Sequence, residues 1–393
     1  MKKAKRFLAL TALAACGLTS LVGCNSNKFS NIKLGLILLH PHDTSTYDKN
    51  FYEAVDAASK ELGFSYVWRE NIPEGAECTT VADELADEGC NIIFADSFGH
   101  EAHLMASAKK HPDITYMHAT GNQAAANSDT VKNFYDAFAS IYQGRYLAGI
   151  AAGMKLKSMI EANPDTPHNV GYVGAYTYSE VTSGLSSWYL GVKSIVSDVT
   201  MDVLYTGSWF DINEEKNCAL QLINTYKCAV ISQHADSYGA PQACEDSHVP
   251  NVSYNYSTEN VGPTTYLVAS KIDWSVWVKN VVTCVAENKP IKQDFVGSLS
   301  DGAVKVMECS ANCAPGTQAA VDEAAAKLKA GTLKVFDTNN FTVNGEKLTS
   351  HKIEINGVQQ ETIIDGEYKE SYYISAPYQD FTIDGITYRN TKF

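Results

Sequence analysis

The chain has 393 residues, 45% of them apolar and 10% aromatic, with 31 basic against 45 acidic side chains and a formal net charge of −14. That length accommodates two or three domains with cores of their own, and modest charge beside plentiful Tyr and Phe excludes a disordered chain. Net negative charge repels polyphosphate and argues against nucleic acid as a partner.

The first predicted element is a processing signal. Lys2, Lys3, Lys5 and Arg6 precede an apolar run over residues 7–22 that is too short, and too rich in Ala, Gly and Thr, for a membrane span. Leu21-Val22-Gly23-Cys24 resembles the bacterial lipobox, in which the cysteine is acylated and becomes the new N-terminus; the competing reading is an ordinary secretory signal with an incidental Cys24. Loss of residues 1–23 removes four basic and no acidic side chains, leaving 27 basic against 45 acidic, a net −18. No later stretch reaches the ~18 apolar residues of a membrane helix. The expectation is an exported body held to the outer face of the cytoplasmic membrane by acyl chains. Besides Cys16 and Cys24, eight cysteines remain (Cys78, Cys90, Cys218, Cys228, Cys244, Cys284, Cys309 and Cys313), an even number that permits up to four disulfides in an oxidising compartment. Their spacing matches no structural zinc site, and no metal is expected on them.

After a polar tether over residues 24–31, the apolar run at 32–39 reads as a buried parallel strand. Phe51, Val55, Ala58 and Leu62 have helical spacing, stopped by Gly63. A strand at 64–68, helix at 79–88, strand at 91–95, helix at 102–110 and strand at 114–118 follow. The second half predicts a helix over 138–154, strand 169–173, helix 181–196, strand 201–205, helix 214–225, strands at 229–232 and 252–255, and a helix at 274–287. Such alternation gives parallel sheets with helices on both faces, arranged as two α/β lobes around a cleft, with ligands beyond the carboxyl ends of the strands. Past residue 337, Asn344-Gly345, Asn356-Gly357, Asp365-Gly366 and Asp384-Gly385 punctuate alternating strands and predict β-hairpins.

The strand-end rule singles out Asp43, Tyr47 and Asp48 after the first strand, Ser97 and Phe98 after the third, and His118 after the fourth. In the second half it gives Glu180, Trp209, His234, Asp236, Ser237 and Asn255. Flat aromatics interleaved with carboxylates and amides suit a planar, uncharged, hydroxylated ligand: ring faces stack, and carboxylates accept from hydroxyls and ring N–H groups. The competing reading of each aromatic is a plug of its lobe core. A zinc site is the second hypothesis, on His40-x-His42 with Asp43 and on His100-x-x-His103. No Gly-x-Ser-x-Gly elbow, P-loop or Gly-x-Gly-x-x-Gly follows a strand, so no enzyme is expected.

Seven stretches carry a more specific signal: NIPEGAECTTVADELADEGCNIIFADSFG (71–99), HPDITYMHATG (111–121), GRYLAGIAAGMK (144–155), VGYVGAYTYSEV (170–181), GSWFDINEEKNCALQLI (207–223), VISQHADSYGAPQACED (230–246) and LSDGAVKV (299–306). Over residues 31–337 the chain resembles the Basic Membrane Protein family of substrate-binding lipoproteins that serve ABC importers. The resemblance implies a type I periplasmic-binding-protein fold: two parallel-sheet lobes joined by three crossovers, closing on the ligand by hinge motion. It implies lobes at 31–130 with 268–300 and at 131–267 with 301–337; past these the family pattern is lost, and the hairpin turns leave a small β-rich extension at 338–393. It implies a nucleoside-like ligand, a purine nucleoside first, with permease and ATPase partners, a monomer, and no cofactor. By position, Tyr47 and Trp209 are implied to stack on the ring and Asp48 to meet its polar edge, although the family usually carries Phe-Asn or Trp-Thr at 47–48. Glu180 matches a Pro-Glu-Val turn in which Ser179 replaces Pro, and His234, Asp236 and Ser237 match a His-x-Asp-Ser turn. Asn255 stands where the family has an Asp on the ligand, and Trp274 lies near a Trp-rich helix start.

Overall fold

The computed structural model describes residues 27–391; the predicted signal and Cys24 lie outside the described residues. The first sheet takes β1 (Lys33–Ile37), β2 (Ser65–Arg69), β3 (Ile92–Ala95), β4 (Thr115–Ala119) and β5 (Phe134–Ala139). The second takes β6 (Asn169–Gly174), β7 (Thr200–Tyr205), β8 (Ile231–Gln233), β9 (Asn251–Tyr254) and β10 (Tyr266–Ile272); β11 (Asp294–Gly297) then returns to the first sheet and β12 (Val304–Val306) to the second. The first sheet, in order β11-β5-β4-β3-β1-β2, is parallel throughout. Its central strands β1 and β3 are apolar and wholly buried over Leu34–Ile37 and Ile92–Ala95, as a sheet covered on both faces requires, while the edge strand β2 is partly exposed.

Helices on those faces follow the periodicity of the sequence. In α1 (Thr46–Leu62) the Ser45 side chain accepts from the Asp48 N–H at the start, and Gly63, at φ 82°, ends the helix in the left-handed conformation. Also present are α2 (Ala76–Asp87), α3 (Glu101–Lys110), α4 (Ala124–Asn127), α5 (Tyr142–Ala162), α6 (Ser179–Lys193), α7 (Ile212–Asn224), α8 (Gly239–Ser247), α9 (Ser275–Glu287) and α10 (Thr317–Lys329). The chain crosses between sheets three times: between β5 and α5, after β10, and between β11 and β12. The first two crossings fall later than the expected boundaries at 130/131 and 267/268, because Phe134–Ala139 and Tyr266–Ile272 are both strands. Residues 138–141 accordingly end a strand and turn, and the helix expected from 138 begins at Tyr142.

The tail is less of an appendage than expected. Val343 and Glu346 bridge around Asn344-Gly345, β13 (Lys352–Ile355) pairs with β14 (Val358–Glu361) around Asn356-Gly357, and β15 (Ile363–Ile364) pairs with β16 (Glu367–Tyr368) around Asp365-Gly366. Both turn residues have positive φ in all three, the signature of a type I′ turn. Asp384-Gly385 instead leads into β17 (Ile386–Tyr388), which adds to the second sheet in parallel beside β7. That sheet then runs β12-β10-β9-β8-β6-β7-β17, with β12 antiparallel at one edge.

The eight cysteines are free thiols, so the permitted bridges are not formed among the described residues. Cys78 and Cys90 fill one core of the first lobe, and Cys218, Cys228 and Cys244 fill one core of the second as small apolar side chains. Among the described residues no helix is long and apolar enough to cross a membrane.

Candidate functional site

Strand ends of both sheets meet at one narrow cavity with about 20 Å³ of open space, far below the ~300–1,000 Å³ usual for ligand clefts, so the lobes must part to admit a ligand. The first lobe contributes Leu39, Tyr47, Ser97, Phe98 and Thr120, and the second Glu180, Trp209, His234, Asp236 and Tyr254. The lobes touch around it. The Thr46 N–H and Oγ1 both donate to the Asp236 carbonyl, at 2.8 and 3.1 Å. His40 stacks on Phe210 at 5.1 Å, and the Tyr256 hydroxyl donates to Glu53 at 2.9 Å.

The aromatic walls are set by local bonds. Tyr47, in the first turn of α1, donates its hydroxyl to the Asp96 carbonyl at 2.8 Å and rests on Phe51 at 4.8 Å. Phe98 opens a short 3₁₀ turn, is 40% exposed, and meets Tyr178 of the other lobe at 5.8 Å. Trp209, between β7 and α7, presents itself edge-on to Tyr176 at 5.1 Å.

The polar wall is a chain of three residues. Arg145, in the otherwise uncharged first half of α5, is 1% exposed and lies with its guanidinium 3.3 Å from the Tyr254 ring centre. Its Nη1 donates to the Gln233 carbonyl and its Nη2 lies 3.0 Å from His234 Nδ1. A guanidinium only donates, so His234 Nδ1 carries the lone pair and Nε2–H points to Glu180 Oε1, 3.3 Å away. Burial, with Arg145 beside it, lowers the His234 pKa against the opposing pull of Glu180 and keeps the ring neutral. Asp236, 5% exposed, is pushed well above the usual carboxylate range by burial and by the charges of Asp48, Glu215 and Glu180. The cavity therefore presents one oriented carboxylate, one carboxyl able to donate, and an imidazole fixed from behind.

Of the residues expected at the site, Tyr47, Ser97, Phe98, Glu180, Trp209, His234 and Asp236 line this cavity, and six do not. The Asp43 side chain is 88% exposed. Asp48 is fully buried and turned into its own loop, accepting from the His40 N–H at 2.8 Å and from Ser45. Burial opposes its charge, but bonds to His40, Asp96 and Ser45 lower its pKa, while burial and Asp48 raise that of Asp96 well above normal, so the pair shares a proton. The Ser237 hydroxyl accepts from the Gly239 N–H at the start of α8. Asn255 is buried at φ 64°, beside the lining residue Tyr254. Trp274 stacks on Phe51 at 4.5 Å and plugs the first lobe core. His118 lies one layer behind the cavity, with Nε2–H donating to the Ser97 carbonyl at 2.8 Å.

Leu39, Thr120, Tyr254 and the supporting Arg145 were not expected. Thr120 has φ 67°, a strained conformation for a β-branched residue. Arg145 had a signal: a cation directly before the run of small and apolar residues at 146–154.

The zinc pairs do not converge. His42 Nδ1 meets Glu70 at 2.8 Å with its ring stacked on Tyr52, His40 faces Asp48, and His100 Nε2 meets the Ile72 carbonyl. Glu101, His118 and Asp136 do converge, with one ligand atom each within 4.8 Å of one another. Their carboxylates already accept from the N–H groups of residues 122, 123 and 124, and His118 Nδ1 faces Asp136 Oδ1 at 3.3 Å, so the group reads as a buried, internally bonded cluster.

Comparison with known proteins agrees with this architecture. Residues 32–336 match the Bmp family model, described as ABC transporter substrate-binding protein PnrA-like. A purine-binding protein of Brucella abortus is 28% identical over 320 residues, covering 80% of this chain and 86% of that one. A Haloferax volcanii protein named as an ABC transporter glucose-binding protein is 28% identical, covering 66% and 63%. The nucleoside-binding protein BmpA of Lactococcus lactis is 22% identical, covering 57% and 65%. Among solved structures, an ABC transporter solute-binding protein of Aeropyrum pernix superposes with a TM-score of 0.64 at 16% identity, over 77% of this chain and 92% of that one, a likeness of fold.

Proposed function

Because the chain belongs to the Bmp family of PnrA-like ABC transporter substrate-binding proteins, we propose that it captures a purine nucleoside between its lobes and delivers it to a permease. The observation that carries this reading is the composition of the interlobe cavity: Tyr47 and Phe98 from one lobe and Trp209 and Tyr254 from the other, around Glu180, His234 and Asp236. The rings offer stacking faces to a flat heterocycle. Glu180 accepts from its N–H or hydroxyl groups, and protonated Asp236 donates to a ring nitrogen or carbonyl. The purine-binding and nucleoside-binding relatives support that ligand class, and the relative named for glucose supplies the rival. A thermal-shift screen over purine and pyrimidine nucleosides, free bases, pentoses, glucose and Zn²⁺ separates them, since only a ligand of the folded state raises the midpoint. A response to glucose with none to nucleosides would overturn the reading.

Receptors of this family work outside the cytoplasm, and Leu21-Val22-Gly23-Cys24 supplies the anchor in this proposal. Cys24→Ala should release the protein into the medium. Retention at the membrane would refute acylation at that position.

A further inference from the structure

We propose that residues 371–379 form a third wall of the ligand cleft and create an outer subsite for a hydroxylated, uncharged substituent of the bound molecule. The segment lies beyond residue 336, where the family match ends, so it is an addition to the two-lobed fold. Its anchors fall on both lobes. On the first, the Ser375 N–H donates to Asp294 of β11 at 2.8 Å. On the second, Ser183 of α6 donates to Glu370 at 2.6 Å, and Gln379 Nε2 donates to Ser186 of the same helix at 2.9 Å. Glu370, Ser375 and Gln379 are each at most 1% exposed, so these bonds form away from competing water. The segment is also tied to itself: the Tyr372 N–H donates to the Tyr378 hydroxyl, which donates to the Lys369 carbonyl.

Between the anchors, Ala376 and Pro377 face a second chamber of about 390 Å³ that opens to solvent. Its other walls are Phe98, Thr120 and Asn122 of the first lobe and residues 177–180 of the second. Phe98, Thr120 and Glu180 border both chambers, so the inner cavity and the outer one adjoin at these three side chains. The outer walls offer the Asn122 amide, the Thr120 and Ser179 hydroxyls and the Glu180 carboxylate. Neither Lys nor Arg is among them. Such a lining receives a polyol by exchanged hydrogen bonds and disfavours a phosphate, which would meet Glu180 with no cation to offset it.

The inference rests on the inner cavity taking the heterocycle. Titration calorimetry of the full chain with a purine nucleoside and with its free base tests both. Pro377→Trp, at a half-buried loop position, and Asn122→Trp, at an exposed position on the facing wall, each narrow the outer chamber and leave the inner one alone. Each variant should weaken nucleoside binding at least about tenfold while the free base stays within about twofold of the unaltered protein. A Pro377→Trp protein that melts normally and binds the nucleoside unchanged, or that loses base and nucleoside equally, overturns the third wall. Failure of the unaltered protein to bind either compound overturns the nucleoside reading, and the subsite with it.

Discussion

The chemistry of the cavity turns on whether a residue faces the ligand or holds one that does. Trp209 is of the first kind: it is half-buried, at a loop, with one edge against Tyr176. Stacking of a base on an aromatic contributes ~1–3 kcal/mol, so Trp209→Ala should weaken the best nucleoside by roughly 10- to 100-fold, at ~1.4 kcal/mol per decade. The melting temperature should hardly move, and unchanged affinity in calorimetry would remove Trp209 from the site. Arg145 is of the second kind. It does not line the cavity, yet its guanidinium selects the His234 tautomer that points Nε2–H at Glu180, and it covers the face of Tyr254. Arg145→Met keeps most of the volume and removes the donor. It should lower the melting temperature, because the Gln233 carbonyl and His234 Nδ1 lose their partner inside the protein. Ligand binding should weaken as well, and His234, released from the neighbouring cation, should titrate at higher pH in an NMR pH series. A His234 titration identical in the two proteins would exclude the orienting role.

At the scale of elements, Glu180, which faces the ligand, and Arg145, which holds His234, sit on α6 and α5, and the distance between those helices is set by glycine. A Cβ on Gly149 would lie 2.2 Å from the Trp188 carbonyl oxygen, and one on Gly191 would lie 2.1 Å from that of Tyr146. These contacts are with backbone, which cannot swing aside as a side chain does. The close crossing brings Arg145 of α5 beside His234 and, through it, Glu180 at the start of α6. Gly149→Ala would gain some helix propensity in an isolated helix, but here it must push the helices apart. It should destabilise the protein by about 1–3 kcal/mol, the usual range for overpacking, and loosen ligand binding by displacing Arg145. Chemical denaturation measures the first and calorimetry the second; a more stable Gly149→Ala protein would show that the crossing tolerates the extra carbon. The β17 strand makes a similar argument from the other side of the sheet. Asn390 bonds both backbone groups of Tyr205, and Arg389 pairs with Asp202, so the tail covers an edge that β7 would otherwise expose.

For the molecule as a whole, the sequence was informative wherever a signal is local. Alternating apolar runs and helical spacing gave most of both sheets, and the Asn-Gly and Asp-Gly pairs gave three hairpins, because a type I′ turn needs positive φ at two adjacent residues. Strand ends gave seven of the ten cavity residues. What stayed hidden is non-local. Nothing in Ile386–Tyr388 announces a partner at Met201–Val203, and nothing near Asp48 announces that its carboxylate would be consumed by His40 and Asp96. The same holds for Glu370: in the sequence it is one acid among many, yet the fold buries it completely against α6 and raises its pKa to about 7. An acid whose folded pKa exceeds its unfolded value of about 4.5 binds more protons in the folded state between those limits, so its contribution to stability is present at low pH and lost as pH rises through about 7. Burial does the same to Glu101 and Glu215, each also at about 7, while His100, pushed down to about 4, acts in the opposite sense below its ordinary 6.5. Glu370→Gln isolates one group from this balance. The amide mimics the protonated acid, so the variant should match the unaltered protein at pH 5 and melt a few degrees higher at pH 8. Equal melting temperatures at pH 8 would mean that ionising Glu370 costs the fold nothing, and the raised folded pKa would have to be abandoned.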